Sequence, residues 1–154
     1  LARTKSEILI TQSLIDRLVD VEQWPETRAA SISMYRESIK RDLEWLLNTR
    51  QPVIPELESY PATAASVLNF GLPDIHSFDG SAGKEQNALT VALEKCIRTF
   101  EPRINQPRVY LTRSDQLSRS LKFHIEGQVF YENMNEEIKF DTVLELISGE
   151  YEVK

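Results

Sequence analysis

Apolar residues recur every three or four positions through roughly the first two thirds of this chain, and every second position after that. The first spacing belongs to helices packed by one face, the second to strands of a sheet covered on one side. After a polar start, Ile8, Leu9 and Ile10 lie in an N-terminal arm over 1–12. Thr11 or Ser13 then offers an N-cap to a short helix with Leu14, Ile15 and Leu18 on one face, which Trp24-Pro25 interrupts. The spacing predicts the strongest helix over 31–50, where Ile32, Tyr35, Ile39, Leu43, Leu46 and Leu47 form one stripe. Met34 and Trp45 fall off that stripe, near Arg41. A tryptophan in that position either marks a binding surface or is covered by the loop that follows.

Residues 51–83 form a long loop, punctuated by Pro52, Pro55, Pro61, Pro73, Gly71 and Gly80. Within it Thr63 to Phe70 suits a turn or two of helix, stopped by Gly71 as a left-handed cap, and Ser77 to Gln86 reads as a mobile loop. A second stripe, Leu89, Ala92, Leu93, Cys96, Ile97 and Phe100, predicts a helix over about 84–100 and makes Cys96 a small core residue.

The change of period falls at Phe100-Glu101-Pro102-Arg103. Pro102 has no N–H and clashes with a preceding helical turn, so the helix must stop here. In an extended continuation residues i and i+2 project together, which sets the Glu101 carboxylate beside the Arg103 guanidinium. Such a pair can satisfy itself, clamp a neighbouring helix or grip a partner protein. An internal pairing of Glu101 with Arg50 or Arg41 is the structural alternative to an interface.

Beyond the turn, Val109 and Leu111 predict a short strand after Pro107. Residues 121–132 alternate, with Leu121, Phe123, Ile125, Val129 and Tyr131 on one face and Lys122, His124, Glu126, Gln128 and Glu132 on the other. Asn133-Met134-Asn135 suits a hairpin into a strand with Ile138 and Phe140 inward, running towards Leu146. Ser148-Gly149 then turns into a last strand with Tyr151 and Val153, a potential sheet edge open to another chain. The expectation is a single α+β domain over 1–154, with N-terminal helices packed on a C-terminal antiparallel meander.

Composition narrows the function. A net charge of −6 argues against nucleic acid as a main partner. No apolar run approaches the roughly 20 residues of a membrane helix, so no direct membrane insertion is expected, and no signal-peptide pattern is present. One cysteine suits a reducing compartment, and two distant histidines give no metal spacing, so neither metal nor cofactor is expected. Glycoside cleavage needs two carboxyls across a bond, one held protonated by an apolar pocket. Arg103 would instead stabilise the charged form of Glu101. No motif marks a second carboxylate, and neither His76 nor His124 stands in a nucleophile motif. No catalytic residue is assigned, and His124 reads as a solvent-exposed side chain.

Five strings, weak singly, stand in an order and spacing that are specific together. They are Ser13-Leu14-Ile15-Asp16-Arg17-Leu18, the run from Ser38 to Arg50, Ser66 to Asp74, Phe100-Glu101-Pro102-Arg103, and Phe140-Asp141-Thr142 with Ser148-Gly149 and Val153. The chain resembles the TssE family, small baseplate subunits of bacterial type VI secretion systems related to the GPW-type wedge proteins of contractile-tailed phages. That resemblance implies a non-catalytic part of a cytoplasmic baseplate docked at the inner membrane. Its implied partners are the wedge proteins TssF and TssG, the sheath subunits TssB and TssC, and further baseplate proteins such as TssK. It implies a role in starting sheath polymerisation and a fold like the sheath's interlocking domain, in which neighbours exchange strands. The family's Glu-Pro-Arg motif is matched without substitution by Glu101, Pro102 and Arg103, the first candidates for the wedge or sheath interface. Trp45, Met34 and Arg41 are the second. The readings to weigh against this one are a peptidoglycan hydrolase, a label some family members have carried, and the same part in a phage-like tail.

Overall fold

A computed structural model describes residues 9–19, 24–73, 83–115, 120–131, 134–145, 148 and 150–154. Helices α1 (Leu14–Val19), α2 (Arg28–Asn48), α3 (Pro61–Ala64) and α4 (Gly83–Phe100) precede strands β1 (Ile104–Asp115), β2 (Ser120–Tyr131), β3 (Met134–Glu145) and β4 (Tyr151–Val153). The strands pair in chain order as one antiparallel sheet, the α+β meander that the two periods predict.

Helix α2 begins three residues before the predicted start. Thr27 is extended and its hydroxyl accepts from the Ala30 N–H at 3.2 Å, an N-cap that the apolar stripe does not reveal. Its buried face carries Ile39, Leu43, Leu46 and Leu47, which meet Leu89, Leu93, Cys96 and Ile97 of α4 and the inward residues of the sheet in one core. Along β2, Leu121, Phe123, Ile125 and Val129 are buried, while Lys122, His124, Glu126 and Gln128 face outward, as the alternation predicts. Ile138, Phe140, Thr142 and Leu144 continue that inner face on β3.

Three local expectations need correction. The first strand is not a short one after Pro107 but a twelve-residue strand starting at Ile104. Its ladder with β2 shifts register between Asn105 and Arg108, where Gln106 takes φ 50°. Pro107 sits in that bulge, where a missing N–H costs no ladder bond. Gly127 lies opposite, and a Cβ there would come 2.3 Å from Ile104 Cγ2, so only glycine lets the bulge close.

The second correction is at Gly71. It has the expected positive φ, 112°, but caps no α-helix: α3 ends at Ala64 and a 3-10 turn fills Val67–Asn69. It lets the chain lie against the end of α2, where a Cβ would meet Thr49 O at 2.4 Å. The Leu72 N–H donates to Thr49 O at 2.8 Å, and the Gln51 N–H to Leu72 O at 2.9 Å. Loop 51–73 is thus stitched to α2 by backbone bonds, with Leu72 buried.

The third concerns the sheet edges, which the helices partly close. Asn48, at the end of α2, accepts from the Tyr151 N–H at 2.8 Å and donates to its carbonyl at 2.9 Å. Glu94 of α4 accepts from the Val109 N–H at 2.9 Å on the opposite edge. Because β4 pairs only with Thr142, Val143 and Leu144, the stretch of β3 from Met134 to Phe140 has no strand on its outer side among the described residues. The mobile loop expected over Ser77 to Gln86 gives way to α4 from Gly83 onward, and Met134 and Asn135 of the expected hairpin connection belong to β3, paired with Tyr131 and Phe130; residues 77–82, 132–133, His76, Leu146 and Gly149 lie outside the described residues.

Candidate functional site

Helix α4 ends where Pro102 requires, with the Glu101 N–H donating to Ile97 O at 2.8 Å. The continuation is not extended. The Ile104 N–H returns to Glu101 O at 3.1 Å, closing a four-residue turn with Pro102 and Arg103 at its centre. Glu101 and Arg103 therefore meet across a turn rather than along a strand. Arg103 Nε donates to Glu101 Oε1 at 2.6 Å and its Nη2 to Oε2 at 2.5 Å, a two-pronged pair on a carboxylate only 4% exposed. The Arg103 backbone N–H adds a contact to Oε1 at 3.3 Å.

The same guanidinium reaches α2. Nη2 donates to Asp42 Oδ2 at 2.6 Å and Nη1 to the Ser38 hydroxyl at 3.2 Å, and the Tyr35 ring centre lies 5.9 Å from its carbon. Asp42 is shared: its other oxygen accepts from Arg41 Nε at 3.0 Å and Nη2 at 2.8 Å. Arg41 Nη1 then donates to Asp16 of α1, whose carboxylate also accepts from Ser13 Oγ at 2.6 Å. A chain of alternating charge thus runs Glu101–Arg103–Asp42–Arg41–Asp16 and ties three elements together. Burial alone would lower the Arg103 pKa, but the bonds and charges of Glu101 and Asp42 outweigh it and hold it above the ordinary value. Burial likewise pulls Asp16 upward, yet bonds from Arg41 and Ser13, with the charges of Arg41 and Arg103, leave it below the usual aspartate range.

A family model described as baseplate wedge protein gp25 matches residues 33–134, well over half of the chain. The chain belongs to the gp25 baseplate wedge family. No curated protein matches it significantly. The matched span holds Ser38, Arg41, Asp42 and the Glu-Pro-Arg turn, but not α1 or Asp16. In this family member, two of the three uses open to the Glu101–Arg103 pair are visible at once: it satisfies itself, and it clamps α2 through Asp42. Neither Arg50 nor Arg41 contacts Glu101; Arg41 joins one step further along, through Asp42.

Pro102 is exposed at the tip of the turn. Trp45 is 51% exposed, so the following loop does not cover it; the Arg41 guanidinium carbon stands 4.9 Å over its ring. Met34 is half-buried, and Gln12 donates to its sulfur at 3.3 Å.

The periodic reading missed Ser38, Asp42 and Asp16. A signal for the first two exists, since Tyr35, Ser38 and Asp42 recur at helical spacing beside the apolar stripe, a polar seam at the border of the core. Asp16 is visible only once α1 is placed against α2. His124 is not simply exposed: its Nδ1 lies 2.8 Å from Asp141 on β3, and its Nε2 lies 3.3 Å from Glu126.

Nothing in this arrangement resembles an acid–base centre. Arg103 occupies both oxygens of Glu101. A cleft of about 470 Å³ between residues 51–54 and α4 is lined by two titratable groups, Lys95 and Cys96. Burial pushes the Cys96 thiol up to about 12, and it donates to Gly71 O at 3.2 Å, the behaviour of a core residue. Among the described residues no three metal-ligating side chains gather, and no helix is long and apolar enough to cross a membrane.

Proposed function

We propose that this chain is the TssE-type subunit of a type VI secretion baseplate. In this reading it sits on the cytoplasmic side of the inner membrane, bound to TssF and TssG with TssK nearby. It connects the wedge to the TssB/TssC sheath and helps sheath polymerisation start. Its work is mechanical, without catalysis. The observation that carries the reading is the gp25-family match across the helix-to-strand turn, with Glu101, Pro102 and Arg103 held in one fixed geometry by α2. Buried, fully paired charges suit a rigid presenting surface better than a proton-transfer site. Pro102, flanked by Arg103, is the surface that this turn offers a partner, and Trp45 with Arg41 and Met34 is the second contact. The stretch of β3 from Met134 to Phe140, which no strand covers among the described residues, is where a sheath strand would add to the meander. The same part in a phage-derived tail would use the same geometry with that tail's own wedge and sheath proteins.

Affinity purification of the tagged chain from its native cells, with mass spectrometry of what accompanies it, tests this. Co-purification of TssF, TssG and sheath subunits is the expected result. Recovery of phage tail proteins in their place would reassign the parent machine. A chain that comes alone, in an eluate that degrades peptidoglycan, would overturn the structural reading.

A further inference from the structure

The chain is anchored in the fold on both sides of α1. Upstream, Ile10 enters the core and its N–H donates to Ser31 Oγ at 3.2 Å; downstream, Pro25 is buried just before α2 begins. Between the two anchors no described residue is buried, and α1 adds no side chain to the core. A six-residue helix is not stable alone, and one that buries nothing gains no hydrophobic stabilisation from its seat. Its position depends on polar contacts: Asp16 bonded to Arg41 and, just upstream, Gln12 donating to the Met34 sulfur at 3.3 Å.

These contacts fall on one side of α2, with Ile10 at Ser31, Gln12 at Met34 and Asp16 at Arg41. At 100° per residue Met34, Arg41 and Trp45 share an arc of about 40°. The chain thus lies on two thirds of its own second contact stripe: Trp45 is exposed, while Met34 and Arg41 Nη1 are engaged by Gln12 and Asp16.

Asp16 is also the member that the ionic chain can lose. Glu101, Asp42 and Asp16 set three carboxylates against the two guanidiniums of Arg103 and Arg41, and without Asp16 the count is two against two. Arg41 keeps both bonds to Asp42 and its place over Trp45, and Asp16 keeps Ser13. The two side chains are 32% and 21% exposed, so water replaces the bond between them at low cost.

We propose that α1, with residues 11–13, is a releasable strap that lifts from α2 between the anchors at Ile10 and Pro25 and uncovers the Met34–Arg41–Trp45 stripe for a wedge subunit. The inference rests on the contact assigned to that stripe above. Asp16 shows the chemistry that the stripe accepts, a carboxylate at Arg41 Nη1, and an acidic side chain of the partner takes its place with the charge count unchanged. Only the open chain presents the whole stripe, so the closed strap lowers the apparent affinity by the fraction of molecules that are open. Loosening the latch therefore raises affinity, whereas removing a contact that merely supports the surface lowers it.

The test combines hydrogen exchange of the free chain with binding of the full-length chain to purified TssF–TssG subcomplex from the same secretion system. Relative to intrinsic rates, α1 amides should be protected about a hundredfold less than those of α2. Asp16→Asn should bind several-fold tighter than wild type. For the converse, Gln12→Cys with Met34→Cys is bridged by a short bismaleimide and compared with the same variant capped at both thiols by N-ethylmaleimide; Cys96 is buried and stays out of the reaction. The bridged protein should bind about tenfold more weakly than the capped one. Equal affinity of the two, weaker binding by Asp16→Asn, or an α1 as protected as α2 would overturn the strap and leave the wedge assignment intact. No binding by the wild-type chain would overturn both.

Discussion

Arg103 ties the helix-to-strand turn to α2 with one planar group. Its fork engages the Glu101 carboxylate with Nε and Nη2, and the same Nη2 also serves Asp42 on α2. Removing the fork leaves the Glu101 carboxylate buried with only the backbone N–H of residue 103, 3.3 Å away, to meet its charge, so Arg103→Ala is expected to cost the isolated protein about 3 kcal/mol. Arg103→Lys should recover only part of this, because a point charge cannot reproduce the two-pronged contact. Thermal denaturation checks both, and an unchanged Tm in Arg103→Ala would show the network to be ornamental. Tyr151 offers a contrast. Its buried hydroxyl has no hydrogen-bond partner among the described residues, and burial raises its pKa. Tyr151→Phe should therefore stabilise the fold, by up to about 2 kcal/mol; a fall in Tm would reveal a partner for that hydroxyl. Glu101 and Arg103 were legible as a pair because Pro102 forces the helix to end between period 3.6 and period 2. The second partner of Arg103 was not, because Asp42 is 61 positions upstream and only tertiary packing brings it there.

Among the elements, α1 and the β1 bulge each depend on one residue whose role can be tested, Asp16 and Gly127. With its pKa depressed in the folded state, Asp16 contributes its docking energy in full above the ordinary aspartate value of about 4, and loses it as pH falls below that. Amide protection in α1, taken relative to the intrinsic exchange rate at each pH, should fall under acid while α2 stays protected. In Asp16→Asn the looser helix should no longer respond to acid, and an α1 indifferent to pH in the wild type would contradict the account. At the bulge, Gly127→Ala forces a methyl into Ile104 and should cost about 1–3 kcal/mol, read from denaturant unfolding. Periodicity revealed α2, α4 and the inner face of β2 because burial there repeats along the chain. It could not reveal the start of β1. Proline reads as a breaker in sequence, and only a positive φ at Gln106 and a glycine on the next strand make room for it.

At the scale of the whole molecule, the helices bury one face of the meander and lend side chains to both of its edges, through Asn48 and Glu94. This closes part of the edge against indiscriminate pairing and, among the described residues, leaves the outer side of β3 from Met134 to Phe140 as the longer opening. The chain therefore offers distinct faces: the rigid Pro102 turn, the Met34–Arg41–Trp45 stripe of α2, and the β3 edge. That distribution is expected of a baseplate part that joins several subunits. The most direct test is to delete the gene and count fluorescent sheaths in living cells, restoring either this chain or its Arg103→Ala variant. The account predicts that sheaths vanish on deletion and return with the wild-type chain, with few in the variant. Sheaths that assemble at normal number in the deletion strain would contradict it.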